Sequence, residues 1–218
     1  MDERSGQFRV YRVIESVPHI NVQSTESPVL YSVYQSGYAD DALEATVDDL
    51  RTGDLVEATL VGDAGDETDP WRFEAVERVG RVRTSFAVDA EPPATARDSW
   101  TPGQTEPSYT VLEEDGTPVG VCVVQPRSPL PSEAFVPSVL SGLVPLESEF
   151  ASVPELGRPA VEAVFVDPDP PEASSHSVPY GVVYLFTDAG TSTAERLRGR
   201  YDCELGTDSR PEYNPYGI

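Results

Sequence analysis

Apolar and polar positions alternate with a period of two through most of the first ninety residues, the signature of half-buried strands. Phe8 to Ile14 begins in that rhythm, and Val29 to Tyr34 follows a proline-containing stretch. Asp49 to Asp54 reads as a turn into Leu55–Val61, and an acidic loop, Gly62 to Pro70, leads to Trp71–Val76. A last strand runs from Val79 to Val88 with a bend at Gly80. Short strands with turn signals about ten residues apart predict an antiparallel meander or small barrel over residues 1–90.

Residues 91–108, rich in proline, threonine and serine and without apolar period, read as a linker. The clearest local signal follows. Tyr109–Leu112 and Val119–Val124 flank Asp115-Gly116, the dipeptide a two-residue hairpin turn favours. Ser132 to Phe150 spaces apolar residues helically but is interrupted by Pro137 and Pro145, which predicts one or two short helices. Val161–Val166 is a strand, the Pro- and Asp-rich Asp167 to Pro179 a mobile loop, and the continuously apolar Val182–Phe186 a buried strand. Thr191 to Tyr201 is a helix with Ser192 and Glu195 in capping-box spacing. Residues 109–205 therefore form an α+β unit, with 206–218 an irregular tail. The fold class expected is α+β, mainly antiparallel.

Composition sets the environment. Fifteen arginines and no lysine stand against 38 acidic residues, a net charge of −23 over 218 residues. The acids are interleaved with Val, Leu and Tyr, as on the charged coat of a folded protein, and such a coat stays hydrated where molar salt screens its self-repulsion. A salt-rich cytoplasm is the expected setting. No apolar run is long enough to span a bilayer, and the start, Met1 to Gly6, lacks the basic and apolar regions of a signal peptide. Cys122 and Cys203 are far apart; sequence leaves their pairing open.

Chemistry-bearing motifs are sparse. His19 and His176 are the only histidines; His176 lies among serines, but no Gly-x-Ser-x-Gly elbow accompanies it. No two Cys or His residues have zinc-ligand spacing, so no metal or cofactor is expected, and Asp167-Pro168-Asp169 reads as a solvated acidic loop. The turn at 187–193 joins a buried strand to a helix, where backbone N–H groups can hold an anion; Gly190, Thr191, Ser192, Arg196 and Arg200 are the candidates. The most unusual charge lies between Trp71 and Val88, where Arg72, Arg78, Arg81 and Arg83 face only Glu74 and Glu77. Arg81 and Arg83 would share one strand face, with Trp71 and Phe73 beside them as stacking surfaces. Arginine interleaved with aromatics on a barrel is how single-stranded nucleic acid is held. The competing reading pairs these arginines with carboxylates across a sheet and puts the aromatics in the core.

Two resemblances add to this. Leu50 to Val88, opening on Leu-Arg-Thr-Gly-Asp-Leu-Val-Glu-Ala-Thr-Leu, resembles the hairpin-rich half of an OB-type barrel. That phrase, Phe8-Arg9-Val10 and Glu195 to Asp202, with the lysine-free acidic coat, resemble a haloarchaeal family of unknown function, DUF6663. The family resemblance carries no established catalytic residues to transfer, so it supports the habitat and not an activity. The expected function is a non-enzymatic binding module for single-stranded RNA or DNA, or for a protein partner; the alternative is an enzyme or binder acting on a phosphorylated ligand at 187–193.

Overall fold

A computed structural model describes residues 2–11, 19–66, 69–170, 173 and 175–203. The expected tail at 206–218 and the end of the strand expected over 8–14 lie outside the described residues. The chain divides into two compact units, Met1–Arg81 with Leu140–Pro145, and Val82–Val139 with Leu146–Ile218. Each carries a five-stranded sheet, and the fold is α+β with mostly antiparallel strands.

The first unit comprises β1 (Asp2–Tyr11), β2 (His19–Ser24), β3 (Leu30–Tyr34), α1 (Asp41–Asp48), β4 (Asp54–Gly62) and β5 (Arg72–Arg81). Its strands lie in the order β3-β2-β1-β4-β5, all neighbours antiparallel. Period-two alternation sends Phe8, Val10, Ile20, Val22, Val56 and Leu60 into one apolar core. Helix α1 forms because Asp40 accepts the Ala42 and Leu43 N–H groups at 2.8 and 3.2 Å, while Glu44 reaches back to the N–H groups of Gly37 and Tyr38. Leu43 and Val47 then face the core one turn apart. The two edge strands approach at one parallel bridge, Val33 with Trp71, where Tyr34 N–H donates to the Trp71 carbonyl and Trp71 N–H to that of Ser32, both at 2.8 Å. The sheet is not a closed barrel: β3 and β5 share no ladder beyond that bridge.

The second unit holds β6 (Arg83–Ala87), α2 (Ala94–Ser99), β7 (Ser108–Glu114), β8 (Thr117–Pro126), α3 (Phe135–Leu140, its last residue grouped with the first unit), α4 (Glu147–Ala151), β9 (Glu162–Val166), β10 (Tyr180–Phe186) and α5 (Thr191–Tyr201). The sheet order is β6-β9-β10-β8-β7, with β6 and β9 parallel. The strand expected over 79–88 is thus two strands in two sheets, β5 ending at Arg81 and β6 beginning at Arg83. The stretch read as a linker carries α2, with Ala96 fully buried against the second core. The β7–β8 hairpin turns at Asp115 and Gly116, both with positive φ (51° and 76°). On one face Cys122, Val124, Val164, Val182, Tyr184 and Phe186 form a core with Ala194 of α5. On the other, Gly181 leaves the space that the Phe135 ring of α3 fills. Cys122 and Cys203 are both free thiols.

Candidate ligand-binding face of the first sheet

Three of the four arginines singled out between Trp71 and Val88 are consumed by carboxylates. Arg81 grips the fully buried Asp54 with two donors, its Nη2 standing 3.0 Å from Oδ2. Arg78 lies 3.1 Å from Asp49 and 3.7 Å from the same Asp54. Arg83, in the other sheet, lies 3.1 Å from the buried Glu162, whose second oxygen accepts from Arg198 Nε at 2.8 Å. Burial pushes the Glu162 carboxyl up, against the two guanidiniums that favour its charge. Trp71 and Phe73 are core residues, Trp71 edge-on to Tyr31. Arg81 and Arg83 therefore share no strand face.

Arg72 is the exception. Among the described residues it has no carboxylate partner; its guanidinium lies 4.4 Å over the Tyr34 ring and 5.9 Å from that of Tyr38, and donates to the Gly37 carbonyl at 3.2 Å. Tyr34 donates its hydroxyl to Asp69 at 2.9 Å, and that bond to a carboxylate raises its pKa, with burial adding and Arg72 opposing. Arg72 is exposed, a cation poised on an aromatic platform.

Tyr34 belongs to a larger surface. The residues of β1, β2 and β3 that alternate with the core positions point to the sheet's outer face, and the strand register aligns them in rows. Arg9, Gln23 and Leu30 form one, Tyr11, Asn21 and Ser32 the next, and His19 with Tyr34 the last. The face is polar and aromatic, yet much of it is covered: Tyr11 is 1% exposed, Arg9 4% and Gln23 5%. Arg9 donates to the Gly53 carbonyl at 2.9 Å, whereas Gln23 Oε1 and His19 Nδ1 are buried with no hydrogen-bond partner among the described residues. Burial lowers the His19 pKa, so the imidazole is held toward its neutral form. Sequence reasoning took none of these residues as a site. The alternation in β1 is visible, but β2 is short, and without its pairing no row can be drawn.

At 187–193, α5 starts at Thr191 with Gly190 at its N-cap and no side-chain cap, so Ser192 lies inside the first turn and makes no capping box. Arg196 and Thr193 both bind Glu114, at 2.9 Å each, and Arg200 lies over Tyr201. Two acids, Asp188 and Glu114, thus flank the turn, opposing an anion there. The helix turns Arg198 inward, to Glu162.

The second unit holds a further cluster. Arg127, 2% exposed, donates from Nη2 to both Asp167 and Asp169, from Nε to the Val178 carbonyl and from Nη1 to that of Glu133. His176 Nδ1 lies 3.7 Å from Asp169, and its Nε2 lies 3.3 Å from the Ser132 carbonyl oxygen. Asp167 and Asp169, read as a solvated pair, are buried around this guanidinium, and the His176 side chain is only 10% exposed.

The two sheets define a mixed α+β protein of two units, the first with a polar and aromatic outer face on β1, β2 and β3. Residues 1–206 match the family of unknown function DUF6663, and the chain belongs to that family. No curated protein matches the chain, and no solved structure does.

Proposed function

We propose that this chain is a non-enzymatic binding module of a salt-rich cytoplasm that holds single-stranded nucleic acid on the outer face of β2 and β3. The observation that carries the reading is Arg72 stacked 4.4 Å over Tyr34 at the exposed end of that face. A guanidinium on an aromatic ring offers a base both a stacking plane and a charge for the neighbouring phosphate. The topology supports it: strand order β3-β2-β1-β4-β5, a helix between β3 and β4, and edge strands meeting in parallel at Val33 and Trp71 resemble an OB-type barrel left partly open. Such barrels take oligonucleotides on the face of their second and third strands.

The test is fluorescence anisotropy of labelled single-stranded RNA and DNA in molar KCl. Wild type should bind saturably, Arg72→Ala should lose about 1–3 kcal/mol of that binding, as removal of a stacking partner does, and Arg196→Ala should bind as wild type. Absence of binding, or binding indifferent to Arg72→Ala, would overturn the proposal and turn attention to a protein partner.

A further inference from the structure

We infer that Leu140–Pro145 is an intramolecular strap on the same face, which a nucleic-acid strand must displace to bind along its full length; the inference rests on the reading just given. The segment groups with the first unit although its neighbours in sequence on both sides group with the second. Two consecutive residues of it touch one side chain from each of the three strands. Asn21 of β2 donates from Nδ2 to the Ser141 carbonyl at 3.0 Å. At Gly142 the backbone is so close that a Cβ there would lie 2.9 Å from Leu30 Cδ1 of β3 and 3.0 Å from Tyr11 Cδ2 of β1.

These contacts copy part of what a nucleotide strand would make: an acceptor for an Asn amide, and close approach to a tyrosine ring. The copy is incomplete. Gln23 Oε1, in the row next to Asn21 on β2, and His19 Nδ1, in the row on its other side, stay without partners among the described residues. A base carrying an N–H donor would satisfy groups that the strap leaves unpaired, which gives a ligand the differential interaction that displacement requires. Gly142 is the weak point of the strap. Its φ of +77° suits glycine, and any larger side chain there must push Leu30 and Tyr11 aside.

A competitor within the chain lowers apparent affinity by the fraction of molecules in which the face is open. Gly142→Val, which adds both a clash and an unfavourable φ, should therefore bind a labelled oligouridylate in molar KCl at least about threefold more tightly than wild type. Arg72→Ala should weaken both. Hydrogen–deuterium exchange on the wild-type chain gives a readout that does not depend on the variant folding: adding the oligonucleotide should lower amide protection over 140–145 and raise it over β2 and β3. Equal affinities together with unchanged protection of the strap would overturn the inference and leave the binding reading standing. No binding by either chain would remove both.

Discussion

Arg127 and Asp167 face each other in the interior of the second unit, each side chain 2% exposed. Asp169 joins them 2.9 Å from the same Nη2, so one guanidinium serves two buried carboxylates. Asp167 Oδ2 also accepts the Val136 N–H at 3.2 Å, which ties the start of α3 to the end of β9. Removing the arginine strands both charges where water does not reach them. Arg127→Met should cost roughly 3–5 kcal/mol, the loss typical when one partner of a buried ion pair is deleted. Urea denaturation in molar KCl would measure it, and a loss below 1 kcal/mol would mean that the carboxylates find water or protons instead.

Acid should weaken the same cluster. Burial alone would raise the Asp169 pKa, but the hydrogen bonds from Ser177 and the charges of Arg127 and His176 outweigh it and hold the carboxyl below its ordinary value. The folded chain thus binds fewer protons at this site than the unfolded chain. Its stabilisation is complete above the unfolded carboxylate range, near pH 4, and drains as pH falls through that range toward the lower folded value. Wild type should therefore lose stability between about pH 5 and 3 more steeply than Asp169→Asn. Urea midpoints against pH that run parallel for the two chains would assign the loss to other acids.

Two glycines predict opposite signs. A Cβ at Gly181 would sit 2.1 Å from the Phe135 ring, and Phe135 is fully buried between α3 and β10. Gly181→Ala should cost about 1–3 kcal/mol by overpacking, because the ring has nowhere to retreat. Gly199 lies on the exposed side of α5 with nothing within 4 Å of a built Cβ. Gly199→Ala should stabilise by about 0.5–1 kcal/mol through helix propensity alone. Thermal melts of both variants beside wild type would test the pair together.

The elements that sequence revealed are those set by local chemistry. Asp115-Gly116 supplies two positive-φ residues and makes its hairpin, and the apolar run at Val182–Phe186 is the central β10. Helix α1 was equally legible and was missed: Asp40 is an N-cap residue, and Leu43, Val47 and Leu50 repeat at helical spacing. What sequence does not carry is pairing at a distance. The alternation runs from Val79 through Val82 to Val88 without a break, and nothing local says that Arg81 will meet Asp54 and Arg83 will meet Glu162. Arg127 stands beside Ser128 and Pro129 with carboxylate partners 40 and 42 positions away, so its burial is a property of the sheet and not of its neighbours. The outer face is hidden for the same reason. Its rows exist only once β1, β2 and β3 are in register.

Ion pairing inside the fold and repulsion outside it respond differently to salt. Arg78, Arg81, Arg83, Arg127 and Arg198 hold the buried or nearly buried carboxylates of Asp54, Glu162, Asp167 and Asp169, charges that nearly cancel, so the remaining residues still carry the strong negative charge of a chain at −23. Exposed like charges repel over a Debye length of about 10 Å at 0.1 M salt and about 3 Å at 1 M, so molar KCl should remove most of that repulsion. Glu57 and Glu77 show it locally, being directly paired across β4 and β5 on an exposed face. The melting temperature should accordingly rise between about 0.1 and 3 M KCl. The buried pairs are screened far less, so the loss caused by Arg127→Met should be nearly the same at both salts. Melts of the two chains at both concentrations separate these effects. A wild-type melt indifferent to KCl would sink the salt-adapted reading, whereas an Arg127→Met decrement that shrinks in molar salt would show that the cluster is open to solvent.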